Sequence, residues 1–153
     1  MKKLLALLLF LAFAGGLFAQ ENTEQKKNAI AVGLLTGGAL IGLEYEYLAY
    51  NNFALTGGAG LLGFNGGVNY HLEPTTNSHF IHLGVNNVGF TGAVARYAEL
   101  SFNARAFNFL QASIGGAYVF YVSDMMNDNY EDLTGTEYPD YMLTYSLAWY
   151  TSF

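Results

Sequence analysis

The feature that most constrains the fold is a two-residue alternation of side chains that begins near Asn28 and recurs up to Phe153. Its clearest stretch is residues 141–153, YMLTYSLAWYTSF, in which apolar or aromatic residues occupy nearly every second position. Successive side chains of a β-strand point to opposite faces, whereas a helix repeats about every 3.6 residues. The alternation therefore predicts β-strands that have one apolar face and one small or polar face.

Short clusters of turn-forming residues divide this alternation into eight strands in hairpin order. Gly and Asn adopt the positive φ angles that tight turns need, and Pro ends a strand because it has no N–H for the ladder. The predicted strand breaks lie at residues 36–38, 50–52, 65–67, 73–78, 86–91, 103–106 and 124–140.

Composition indicates where such strands would be placed. Charged residues make up 12% of the chain and hydrophobic residues 52%, while a soluble domain has about 25% charged residues. Backbone groups in lipid must all be paired, and a closed barrel does this with strands of about 9 to 11 residues. The sequence predicts an all-β fold, an eight-stranded antiparallel up-and-down transmembrane β-barrel over residues 28–153. The alternative is a soluble lipocalin-like barrel, which would place apolar residues inward and charged residues outward.

The N-terminus has the organisation of a secretory signal peptide. Lys2 and Lys3 precede an apolar run over residues 4–14, and a cleavage site is predicted between Ala19 and Gln20. The apolar run is shorter than the ~20 residues of a spanning helix. We expect a signal peptide over residues 1–19 and a polar segment over residues 20–27, followed by the barrel.

Residues 28–153 resemble the small eight-stranded outer-membrane barrels of Gram-negative bacteria, of the OmpX and OmpA transmembrane-domain types, and the most specific element of the resemblance is the end of the chain. The resemblance implies a location in the bacterial outer membrane, contact with outer-membrane lipid and lipopolysaccharide, and a monomer. It also implies that the last strand is the signal read by the barrel assembly machinery. The residues of that signal are Tyr145, Leu147, Trp149 and Phe153.

Several ionisable residues fall on the inward parity of the predicted strands. An eight-stranded barrel is filled by its own side chains, so buried polar groups there need hydrogen-bond partners. We expect a lumenal polar network that stabilises the barrel, with a cation or proton site as the alternative. An open lumen would instead make the protein a narrow ion-conducting pore. The residues are Glu44, Glu46, His71, His82 and Glu99.

Other chemistries are disfavoured by residue types and spacing. The chain has no Cys, which excludes thiolate metal sites and cysteine nucleophiles. A net charge of −6 with six Lys and Arg excludes a nucleic-acid partner. His79 and His82 lie three apart on a strand and point to opposite faces, so they cannot share a metal ion. We therefore expect no metal and no cofactor.

Some barrels of this size resemble enzymes that modify lipid A with a Ser, His and acid set, but their motif is absent here. Ser78, His79 and His82 would meet only by chance geometry, so we expect no catalytic site. The acidic segment 124–140 is predicted to be a solvated surface loop, with a Ca²⁺ or Mg²⁺ site as the alternative. Arg96 lies at the predicted outer rim, near lipid phosphate. The predicted function is a structural or surface-interaction role.

Overall fold

The computed structural model describes residues 25–38 and 40–153, and these form a closed antiparallel barrel. Each strand pairs with the next along the chain, and the last strand closes onto the first. The predicted all-β, eight-stranded antiparallel up-and-down barrel is confirmed. The predicted signal peptide and the cleavage site between Ala19 and Gln20 lie outside the described residues. The elements are β1 Asn28–Leu34, β2 Ile41–Tyr50, β3 Phe53–Gly60, β4 Gly63–His71, β5 Phe80–Phe90, β6 Ala93–Ala106, β7 Leu110–Val122, α1 Asp124–Thr134 and β8 Tyr141–Ser152.

The barrel has two distinct ends. β1 begins and β8 ends at one of them, which we call the termini end, together with the turns at residues 51–52, 72–79 and 107–109. The other end, which we call the loop end, has residues 35–38 and 40 and the connections 61–62, 91–92 and 123–140. Among the described residues, no helix has the length and apolarity needed to cross a bilayer.

The alternation in sequence is an alternation between the exterior and the lumen. On β8 the outward side chains Leu143, Tyr145, Leu147 and Trp149 are 51–69% exposed. Their inward neighbours include Ala148, which is 3% exposed. Alanines on four other inward faces are also buried, because the interior of an eight-stranded barrel has little room. They are Ala29, Ala31, Ala54, Ala95 and Ala117.

Three predicted turns are wrong, and strands run through them. β4 spans residues 65–67, and the chain reverses at residues 61–62 instead. Gly67 allows β4 to pack closely against β5, since a Cβ on Gly67 would lie 2.7 Å from the Cα of Gly84. Residues 86–90 belong to β5 and residues 103–106 to β6. The reversal after β6 uses Phe107 and Asn108, whose φ angles are 56° and 60°.

The acidic segment 124–140 also differs from its prediction as a loop, because its first part is the helix α1. The Ser123 Oγ caps the helix by accepting a hydrogen bond from the Met126 N–H, and Gly135 ends it in the left-handed region at φ 73°. None of its residues is buried. The segment is therefore a solvent-exposed acidic helix followed by a short connection.

Residues 36–38, after the end of β1, fold inward at the loop end. Thr36, Gly37 and Gly38 are buried, and both glycines have positive φ angles of 67° and 70°. A Cβ on Gly37 would lie 2.8 Å from the Leu43 carbonyl oxygen, so only glycine allows this close approach. This segment therefore narrows the loop end of the lumen.

Candidate functional site: the barrel lumen

A buried carboxylate on β2 is the centre of the lumenal contacts. Glu46 is 1% exposed, and its Oε2 accepts a hydrogen bond from Arg105 Nη2 at 2.7 Å. Its Oε1 accepts one from Asn69 Nδ2 at 3.1 Å and also contacts His71 Nε2. A buried charge is tolerated when it is paired and hydrogen-bonded. Glu46 meets this condition with donors on β4 and β6.

Arg105 on β6 is the cation of this network and is 3% exposed. Its Nε donates to Gln111 Oε1 at 2.8 Å, and its Nη1 donates to the Thr76 carbonyl. The guanidinium carbon lies 4.6 Å from the ring centre of Phe80 and 4.7 Å from that of Tyr150. These are cation–π distances. Arg105 thus connects the charged network to the aromatic side chains that fill this part of the lumen.

The connection 72–79 closes the termini end, and we call it the plug turn. Thr76 is fully buried within it. The Thr76 N–H donates to the Lys26 carbonyl at 3.0 Å, and its Oγ1 donates to the Asn28 carbonyl at 3.0 Å. The Thr76 carbonyl accepts from Ser152 Oγ at 3.2 Å as well as from Arg105. The plug turn is thereby attached to the first strand, the last strand and the lumenal network.

A serine, a histidine and an acid lie in a hydrogen-bonded row between the plug turn and β2. His71 Nδ1 is 3.0 Å from Ser78 Oγ, and His71 Nε2 contacts Glu46. In a catalytic triad the ring nitrogens have the opposite roles, with Nε2 facing the serine. Ser78 is 1% exposed, and its hydroxyl also lies 3.1 Å from the Glu73 carbonyl oxygen. The row connects the plug turn to Glu46, and solvent does not reach the Ser78 hydroxyl.

The other two histidines have separate environments. His82 Nδ1 lies 2.7 Å from Asn69 Oδ1, which extends the network one residue further towards the loop end. His79 Nδ1 accepts a hydrogen bond from the Arg105 backbone N–H at 3.0 Å, and its buried Nε2 has no hydrogen-bond partner among the described residues. Burial lowers the pKa of His79; Glu73 opposes this shift, and Arg105 adds to it. Neutral His79 therefore fits its position.

The loop half of the lumen contains a polar cavity of about 180 Å³. Glu99 accepts hydrogen bonds there from Asn86 Nδ2 and Thr144 Oγ1, both at 3.1 Å. Glu44 accepts one from Asn65 Nδ2 at 3.3 Å. The inward-folded residues 36–38 also line this cavity. It is a polar chamber that ends at the charged network below it.

The five ionisable residues predicted for the lumen thus fall into two groups. Glu46 and His71 meet at the termini end, and His82 joins them through Asn69. Glu44 and Glu99 lie at the cavity with separate partners. Within the described part of the chain, no three His, Asp or Glu side chains are grouped so as to hold a metal ion. The hydrogen bonds are those of a network, and its contribution to stability stays a prediction.

Sequence reasoning missed Arg105, the cation that pairs with Glu46 and also bonds to Gln111 and Thr76. The turn predicted at residues 103–106 hid it. Arg105 has the same parity as Glu99, Ser101 and Asn103, so continuing the alternation by three residues would have placed it inward. Thr76 was missed because a turn residue has no periodicity that would reveal its burial.

The end of the chain closes the barrel seam. Phe153 and Asn28 exchange two backbone hydrogen bonds at 2.9 and 3.0 Å. Tyr145, Leu147 and Trp149 form one exposed outward row on β8, and their role as an assembly signal stays a prediction. In comparisons with known proteins, no family model, no curated protein and no solved structure matches the chain.

Proposed function

We propose that this chain is an integral outer-membrane β-barrel protein with a structural or surface-interaction role and a lumen that does not conduct ions. The observation that carries the proposal is the exterior of the closed barrel. Apolar and aromatic side chains cover it, and Arg96 is the one charged residue with outward parity on the described strands. Such a surface suits acyl chains and would be poorly hydrated in water.

The distribution of aromatic rings supports a membrane-spanning orientation. Phe109 and Trp149 contact each other at the termini end with ring centres 5.6 Å apart. Tyr118 and Tyr141 do so towards the loop end at 5.3 Å. Aromatic residues concentrate at both interfaces of membrane barrels. In this respect the chain is compatible with the OmpX and OmpA transmembrane-domain types, which would place its loop end at the cell surface.

The closed termini end supports the non-conducting part of the proposal. Glu46 on β2, Arg105 on β6 and Thr76 in the plug turn are joined by hydrogen bonds in the lumen, and each is at most 3% exposed. A continuous water path would need the Glu46–Arg105 ion pair to separate and leave two buried charges without partners. The cavity at the loop end is therefore a chamber with a closed floor.

Two experiments test the proposal. The mature protein, folded into phosphatidylcholine vesicles, is expected to float with the lipid and to resist extraction by carbonate or urea. Extraction by either wash would favour the soluble lipocalin-like barrel. In planar bilayers the same protein is expected to give no stable current steps, and regular single-channel steps would favour the narrow pore instead.

A further inference from the structure

A polar cluster lies on the exterior of the wall formed by β5, β6 and β7, towards the loop end. Arg96 on β6 faces outward, and its Nε donates to Asn87 Oδ1 on β5 at 2.9 Å. Its guanidinium carbon lies 4.9 Å from the centre of the Tyr121 ring on β7. The strand register shifts between Arg96 and Tyr97, and both Phe120 and Tyr121 are about half exposed beside it. Three strands therefore fix the direction of one guanidinium group.

The terminal nitrogens of Arg96 have no partner among the described residues. The ion pairs among the described residues are Glu46 with His71 and Glu46 with Arg105, so no described carboxylate lies within 4.0 Å of Arg96. Its Nε is occupied by Asn87, while neither terminal nitrogen has an acceptor in the described part of the protein. A guanidinium held in this way presents a pair of donors that match a phosphate group.

Directly towards the membrane centre, the same wall has an apolar groove of about 340 Å³. Ala98 is the next outward residue after Arg96 on β6. Beside Ala98, Gly116 on β7 has no side chain to cover the backbone of the wall. A Cβ on Gly116 would meet nothing closer than the Met142 carbonyl oxygen at 4.0 Å, so the space above this glycine is open. The bulkier side chains of Leu83, Leu100, Tyr118 and Tyr141 border the groove.

We infer that this wall is a binding site for one anionic lipid of the surrounding bilayer, whose phosphate contacts Arg96 and whose acyl chain lies in the groove over Ala98 and Gly116. The inference rests on the proposed membrane location. Charge complementarity selects the phosphate, since Arg96 is the one Lys or Arg on the loop half of the described strands. The adjacent groove selects a ligand with an acyl chain.

The chemistry favours a lipid over a free anion. The protein has a net charge of −6, and the acidic helix α1 begins two residues after β7 ends, so dissolved anions are repelled from this end. A lipid phosphate is already concentrated in the plane of Arg96 by its own acyl chains. Within a bilayer the apolar wall alone gives no preference between lipids. Arg96 therefore supplies the selectivity, while the groove positions one chain by packing.

The test is native mass spectrometry of the full mature protein released from micelles that contain equal amounts of phosphatidylglycerol and phosphatidylcholine. The wild type is expected to retain one phosphatidylglycerol about tenfold more often than phosphatidylcholine, because both lipids carry a phosphate but the choline cation of phosphatidylcholine competes with Arg96 for it. Arg96→Gln is expected to abolish this preference, whereas Arg96→Lys is expected to keep part of it. Equal retention of the two lipids by the wild type would overturn the inference.

Two glycine variants test the groove separately. Gly116→Leu fills it and is expected to lower retention of phosphatidylglycerol about tenfold. Gly57→Leu is the matched control, because Gly57 also faces outward with its nearest neighbour, the Asn65 carbonyl oxygen, 3.8 Å from a Cβ. It lies on β3, on the opposite wall, and is expected to have no effect. Equal loss in both variants would overturn the role of the groove.

A final arm separates a lipid from a free phosphate. Excess inorganic phosphate is expected to leave the bound phosphatidylglycerol in place, and its displacement would identify a simple anion site and overturn the lipid assignment. Vesicle flotation of each variant separates this inference from the proposed function. A protein that does not float contradicts the membrane location, whereas one that floats without lipid preference contradicts the lipid site alone.

Discussion

Glu44 and Glu46 lie two residues apart on the same face of β2, yet they belong to different halves of the lumen. Glu46 is buried and contacts Arg105, His71 and Asn69. Glu44 is partly exposed to the cavity and has one described side-chain partner, Asn65. Two successive inward positions of β2 thus carry one carboxylate, Glu46, that is held by protein contacts and another, Glu44, that is partly exposed to the cavity. The difference teaches that inward parity alone does not define what an ionisable residue contributes.

The largest expected effect comes from removing Arg105, the cation of the lumenal network at the termini end. Arg105→Ala leaves Glu46 buried with its main counter-charge missing, and we expect a loss of about 3 to 5 kcal/mol in the free energy of unfolding. Urea unfolding in lipid vesicles measures it. Glu44→Gln is the matched control in the loop half and is expected to cost less than about 1 kcal/mol. Equal losses in the two variants would remove the contrast between the halves.

A smaller effect is expected in the plug turn. Thr76→Val keeps the shape of the side chain and removes its hydroxyl, so the Asn28 carbonyl loses a hydrogen-bond donor. We expect a cost of about 1 to 3 kcal/mol, since the polar groups left behind are buried. The same urea titration measures it. Thr136→Val on the exposed connection after α1 is the control, and a cost there as large as at Thr76 would argue against a structural plug.

A pH dependence is expected from His79, which lies in the plug turn. Its pKa in the folded protein is below the ordinary value of 6.5 because it is buried. As the pH falls below about 6.5, the unfolded chain binds a proton that the folded protein does not. The contribution of neutral His79 is therefore complete above that pH and decreases below it. The slope of unfolding free energy between pH 7 and pH 5 is expected to be shallower in His79→Gln, and identical slopes would contradict this reading.

The smallest effect is expected at the cavity. Glu99→Gln keeps one oxygen as an acceptor for Asn86 or Thr144, and water can reach the group that is left. We expect a change below about 1 kcal/mol in vesicle unfolding. A loss comparable to that of Arg105→Ala would show that the loop half is as tightly coupled as the termini half, and the two-part description of the lumen would then fail.

The alternation in sequence was sufficient to predict the barrel, the strand count and the inward parity of Glu46 and His71. The prediction of turns and loops failed where the residue types are typical of one structure and the local geometry is that of another. Gly66 and Gly67 have the composition of a turn, but they lie in β4, where Gly67 packs against Gly84. The helix α1 was missed because its acidic residues resemble a solvated loop, although Ser123 is a good N-cap.

The partners across the lumen could not be predicted from the sequence. Glu46 and Arg105 are 59 residues apart, and neither has a neighbour in sequence that identifies the other. The contact depends on the register of every strand between them and on the inward fold of the plug turn. The parity of a residue predicts the face of the strand on which it lies. Its partner across the closed lumen depends on how far each strand is shifted along the barrel axis relative to the others.

The hydrogen bonds of Thr76 have a consequence for the order of folding. Its N–H binds the carbonyl of Lys26, which precedes the first strand, and its hydroxyl binds the carbonyl of Asn28, which begins that strand. Its carbonyl binds Ser152 at the end of the last strand. This set is complete only after β8 has paired with β1. A sheet in which β1 and β8 have not yet paired therefore lacks part of the hydrogen bonds of the plug turn. Thr76, which lies at the closed end of the lumen, has all of its hydrogen bonds only after these two edge strands have paired.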